Sequence, residues 1–219
     1  SNLGAGDIII SGGTLAATTG FSTAKATSLT ASVSINVSPS QTLTMSGVMS
    51  GAGGFTKVGT GTLSLTGTNS YSGGTTVTTG KLIGTTDSLQ GNIANNATME
   101  FNQSTSGSYG GTISGTGALI KDGTGTVTLT GTNTYSGDTT FKSGTLSVLG
   151  DTSFGSGDMI FDGGTLNAGI GFTTAKSATM TGAGTIDVDS GQTVTATGVF
   201  SGTGGALTKS GSGTLVLSG

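Results

Sequence analysis

Two carboxylates two residues apart are the densest arrangement of possible chemistry in this sequence. Asp187 and Asp189, in IDVDSG, fall on one face of an extended strand, a placement that a general acid and base acting on a polysaccharide could use. Such a site also needs a cation to steady developing charge. The sequence has no histidine, and its seven cationic residues are all lysine, at 25, 57, 81, 121, 142, 176 and 209. In an earlier copy of the same stretch the pair is replaced by Asn36 and Ser38, so it reads as a solvated face and no catalytic residue is expected. Asp7 and Asp158 each follow a G-x-G and precede an apolar run. Aspartate in glycine-rich turns can hold calcium, but that chemistry uses nine-residue units in tandem. These copies are isolated and read as turn formers. Cysteine is absent, which removes disulfides and thiolate metal sites, and no cofactor or metal is expected.

Other polar residues recur at fixed places. Asn69 with Tyr71 returns as Asn133 with Tyr135. The rings could stack on sugars at a surface; the structural alternative, preferred here, is a turn asparagine and a ring covering a corner. Lys57, Lys121 and Lys209 recur in the same frame and read as solvated cations beside a strand, discouraging lateral sheet pairing. The lysines are too few and too scattered to neutralise a phosphate backbone, so nucleic acid is not an expected partner.

The elements that carry these residues follow from composition. Of 219 residues, 44 are glycine and one is proline, with charged residues at 8%. Disordered chains are usually rich in charge and proline, whereas here Thr, Ser, Val and Ile fill the spaces between glycines. That mixture favours short strands and tight turns, all β, with no helical period. TLSL at Thr62 to Leu65, TVTL at Thr126 to Leu129 and TLVL at Thr214 to Leu217 alternate one face to bury with one to solvate. No apolar run is long enough for a membrane-spanning helix. No signal-peptide pattern opens the sequence, so any targeting segment is expected outside it.

Self-comparison organises the chain. GAGGFTKVGTGTLSLTGTNSYSGGTTVTTGKL, residues 51–82, returns at 115–146 with 19 of 32 positions identical, and a third copy runs through 202–219. A longer similarity relates 4–67 to 155–219. A four-residue strand becomes stable when the next turn of chain stacks the same pattern on it, hydrogen-bonding in parallel at about 4.8 Å. The expectation is a right-handed parallel β-helix, a solenoid of roughly 9–11 coils at about 20–24 residues each, forming one segment over 1–219 cut from a longer array.

At GTGTLSLTGTNSYSGGTTVTTGKL and GTGTVTLTGTNTYSGDTTFKSGTL the sequence resembles the autotransporter-associated β-strand repeat, or passenger-associated transport repeat. The resemblance implies a passenger of a Gram-negative autotransporter, exported through the outer membrane by type V secretion to the cell surface. It also implies a repeat that assists secretion and carries no activity of its own. The expected function is a structural stalk in an adhesin. Its expected partners are flanking coils of the same parent and a receptor or glycan on a host or neighbouring cell, contacted by loops that break the repeat, such as Leu82 to Ser108. Two alternatives stand beside it: a self-assembling fibre or biofilm-matrix protein associating end to end, and a polysaccharide-active enzyme working through Asp187.

Overall fold

A computed structural model describes residues 3–219. The chain divides into two compact units, one reaching to Glu100 and one from Phe101 to Gly219.

In the first unit the chain winds through two short strands per turn, with a third in the first three turns. One column of strands runs Thr14–Ala17, Val33–Val37, Phe55–Val58, Thr75–Val77, Ile93–Asn95, and a second runs Phe21–Thr23, Thr42–Met45, Thr62–Leu65, Lys81–Gly84. Ile8–Ile10, Thr27–Leu29 and Met49–Ser50 form a shorter third column. The pairings are parallel and in register: Ser34 lies beside Thr56, and Thr56 beside Thr76. A turn of the spiral therefore takes 22 and then 20 residues in these two steps.

The second unit repeats the design. Gly107–Tyr109, Thr126–Leu129, Thr145–Val148, Thr165–Ala168, Gly184–Val188 and Leu207–Ser210 stack as one column, and Ala118–Asp122, Thr139–Phe141, Met159–Phe161, Ala178–Met180 and Phe200–Ser201 as another. Phe172–Thr174, Thr193–Ala196 and Thr214–Leu217 make the third. Among the described residues the one helical element is a single 3₁₀ turn, Asp151–Phe154.

Each strand buries alternate residues because its side chains alternate faces. The inward set stacks like on like: Leu43, Leu63 and Leu82 in one unit, Leu146, Leu166 and Ile186 in the other. Phe141 stacks on Phe161 with ring centres 4.7 Å apart. Corners are made by glycines where a side chain has no room. Gly59 and Gly123 have φ of 75° and 74°, in the left-handed region that glycine enters without a steric penalty.

The stretch expected as a repeat-breaking loop, Leu82 to Ser108, keeps strand structure instead. Ile93–Asn95 pairs with Thr75–Val77, and Leu89 and Ile93 are buried. Thr98–Asn102 is also a strand, with Met99 and Phe101 buried. Its alternation of apolar residues kept it in the stack although the Thr/Gly pattern lapsed.

Candidate functional site

The recurring polar residues lie inside the solenoid or across its corners, and each set joins one coil to the next.

Lys57 takes a position in the apolar column itself, beside Ile35 of the preceding coil and Val77 of the following one. It is fully buried. Its Nζ donates to the carbonyls of Val58 (2.9 Å) and Gly59 (2.7 Å) in its own turn and to Thr79 (3.3 Å) in the next. Lys121 reproduces this bond for bond, with Asp122 at 2.8 Å, Gly123 at 2.7 Å and Ser143 at 3.2 Å. Both lie where a solvated cation was expected, and that expectation is corrected. The glycine turn curls its carbonyls around the ammonium, so three hydrogen bonds replace hydration. The following coil closes the nest with Gly80 or Gly144, each placed so that an added Cβ would lie 2.9 Å from the ammonium. Burial lowers Lys57 to about 8, and lowers Lys121 to about 8 against the opposing pull of the Asp122 carboxylate. Lys209 makes the two bonds within its own turn, to Ser210 and Gly211, and is exposed.

Asn69 bridges three coils. Its Oδ1 accepts from Met49 N–H at 2.7 Å, and its Nδ2 donates to the Ser88 carbonyl at 2.7 Å. Asn133 does the same between Ile113 (2.7 Å) and Ser153 (2.5 Å). The side-chain amide carries both a donor and an acceptor, so it continues the ladder between coils where the backbone turns away. Tyr71 and Tyr135 are buried and present no ring face to solvent. Their hydroxyls meet Thr75 Oγ1 at 2.9 Å and Thr139 Oγ1 at 2.7 Å, and Tyr71 packs edge-on against Phe55. Gly155 lets the next coil pass the Tyr135 ring, since a Cβ there would sit 2.6 Å from a ring carbon.

The acidic residues assemble differently. Asp187 and Asp189 both accept from Asn167 Nδ2, at 3.0 and 2.9 Å, and Asn167 in turn accepts from Ser147. This is a polar ladder on the outer face. Asp158 reaches the following coil, accepting from Ser177 N–H at 2.9 Å, while its own N–H donates to Asp138. The local turn role expected for Asp158 is thus replaced by a bond between coils; Asp7 is exposed. Among the described residues no group of His, Cys, Asp or Glu could hold a metal ion.

Three joins carried no signal in the sequence reading. Lys81 pairs with the buried Glu100 at 2.5 Å. Lys142 pairs with Asp122 at 2.8 Å. Burial alone would raise Asp122, but hydrogen bonds from Lys142, Ser143 and the Gly123 amide, with the charge of Lys142, take it down to about 2. The largely buried Lys176 lies 2.6 Å from Asp151 Oδ1 and 4.5 Å over the centre of the Phe154 ring, beside a groove of about 490 Å³. These pairs stand 19 to 25 residues apart in sequence, and only the register of the coils brings them together.

The Lys nest and the Asn bridge coincide with a known pattern. The family model for the passenger-associated transport repeat matches residues 55–83, 119–148 and 207–219. Over those three stretches the chain is similar to passenger-associated transport repeats. In both longer matches the repeat's Lys and Asn side chains bond one coil to the next. The chain is also 45% identical, over 109 residues, to the Adhesin BmaC autotransporter of Brucella suis biovar 1 (strain 1330), an alignment covering 49% of this chain and 3% of that protein. No solved structure matches the chain. Among the described residues no helix is long and apolar enough to cross a membrane.

Proposed function

We propose that this chain is a stalk segment of an autotransporter passenger, displayed outside a Gram-negative cell, giving reach and rigidity to an adhesin and supporting its export. The observation that carries this reading is that the passenger-associated repeats supply the same bonds between coils at Lys57 and Lys121 and at Asn69 and Asn133. Residues spent on holding coils together serve a scaffold; a catalytic or ligand site would hold its polar groups open. A spiral that grows by adding coils to a finished edge also gives export a direction, because each stacked coil resists return through the membrane. The resemblance to an adhesin supports contact with another cell surface, made by parts of the parent other than these buried repeats. The flanking partners are further coils of the same parent. The carboxylates of Asp187 and Asp189 share the Asn167 donor and Asp187 also accepts from Ser210, which supports a structural ladder in preference to catalysis.

The test uses the full parent protein displayed on cells. Removing residues 56–75, one whole turn by the register of Thr56 with Thr76, is expected to lower the amount displayed while binding per displayed molecule persists. Complete loss of binding at normal display would contradict a stalk role.

A further inference from the structure

The apolar columns that hold this spiral together are almost interchangeable. TLSL, TVTL and TLSV present nearly the same inward faces, so a coil displaced by one turn would bury a similar set of side chains. Hydrophobic patterning specifies register only where neighbouring levels differ. Two of the levels carry a charge in the column. Lys57 and Lys121 each put an ammonium into the column, and each is satisfied by carbonyls at three defined distances along the chain, one, two and 22 residues on. The covering glycine must also lie in the left-handed region, as Gly80 (φ 74°) and Gly144 (φ 61°) do.

We propose that Lys57 and Lys121 are register keys, buried cations that admit only one coil above them and so prevent slipped stacking in a repetitive chain. A coil displaced by one turn brings Ala97 over the Lys57 nest in place of Gly80, and over Lys121 it brings Gly164, which lacks the left-handed backbone of Gly144, so that the carbonyl nest is not closed in the same way. A buried charge deprived of a partner is among the costliest defects in a protein interior, enough to suppress a slipped form by about a hundredfold. The third bond comes in each case from the following coil. The inference concerns folding and goes beyond the stalk reading, whose failure would leave it standing.

A stabilising residue and a register key respond differently to an apolar replacement. Methionine at 57 and 121 removes the charge from the column and can leave stability equal or higher. The experiment is refolding of the full chain from denaturant, comparing wild type, the double variant Lys57→Met/Lys121→Met and the exposed-site control Lys142→Met. Hydrogen exchange read by mass spectrometry then counts conformers. The proposal expects one isotope envelope per peptide for wild type and control. It expects split envelopes for the double variant, the second population rising at least about tenfold, with no fall in the unfolding midpoint. A single native envelope in the double variant overturns the proposal, and so does failure of that variant to form any β structure. A second measurement needs no variant. Acetylation of refolded wild type should modify Lys57 and Lys121 far more slowly than the exposed Lys142, and equal rates would mean that the nests do not form.

Discussion

Lys121 and Ser143 stand 22 residues apart and are joined by a hydrogen bond of 3.2 Å from an ammonium to a backbone carbonyl, and Lys57 and Thr79 repeat the relationship at 3.3 Å. The same two lysines fall to about 8 through burial. Their folded pKa lies below the unfolded value of about 10.4, so between these limits the unfolded chain binds more protons and stability rises with pH. The tyrosines act in the opposite sense. Burial pushes the hydroxyls of Tyr71 and Tyr135 up, and that stability is lost above about pH 10 as the unfolded tyrosines ionise. Thermal unfolding should therefore show a midpoint climbing from pH 8 to about 9.5 and falling beyond 10. Lys57→Met/Lys121→Met should flatten the climb and leave the fall.

Asp122 gives the acid counterpart. Its carboxyl is depressed to about 2, below the unfolded value of about 3.9. Its stabilisation is therefore present above pH 4 and lost as pH falls toward 2. With Lys142 half exposed, the pair and its attendant hydrogen bonds contribute about 1 kcal/mol. Asp122→Asn should lower stability by that amount at pH 7 and make acid unfolding shallower between pH 4 and 2. An unchanged acid profile would count against the pairing.

Asn69 and Asn133 are expected to be the most sensitive single positions. Alanine at either removes two hydrogen bonds and strands a buried N–H and a buried carbonyl, a loss of about 2–4 kcal/mol in urea unfolding. Asn69→Asp should be no rescue, because a carboxylate cannot donate to the Ser88 carbonyl. A cost below 1 kcal/mol would show that the amide bridge is not made.

Tyr135 separates scaffold from surface. Phenylalanine keeps the ring and loses the bond to Thr139, costing about 1 kcal/mol. Gly155→Ala forces a side chain into a left-handed corner and against that ring, costing 2 kcal/mol or more by analogy with other strained sites, about the upper range for backbone strain. Neither change should alter attachment of the displayed parent to cells, since the ring is buried. Lost attachment with normal display would reopen the sugar-stacking role.

The spiral itself was legible in the sequence because alternation in TLSL and TVTL and the exact return of the Gly, Asn and Tyr positions leave few other ways to bury one face. Even so, coils can be shorter than expected: Thr76 and Ala94, paired across adjacent coils, are 18 residues apart. The burial of Lys57 was not legible from the charge alone. Its signal was the G-x-G that follows each recurring lysine, a turn whose carbonyls can encircle a cation, together with an alternation that places the lysine inward. Leu82 to Ser108 looked like a loop because Thr and Gly thin out there, yet Ile93, Met99 and Phe101 preserve the inward period. The contacts of Lys81 with Glu100 and of Lys176 with Asp151 depend on register over a full coil, which no local pattern reports.

Deleting chain in whole and half turns is the most direct test of coil-on-coil stacking. Leu119 pairs with Thr139, so removing residues 119–138 takes out one turn and should leave cooperative unfolding and β-type circular dichroism. Removing only 119–128 rotates every later strand off its column and should abolish the cooperative transition. Equal tolerance of both deletions, or a harsher effect from the whole-turn deletion, would contradict the account.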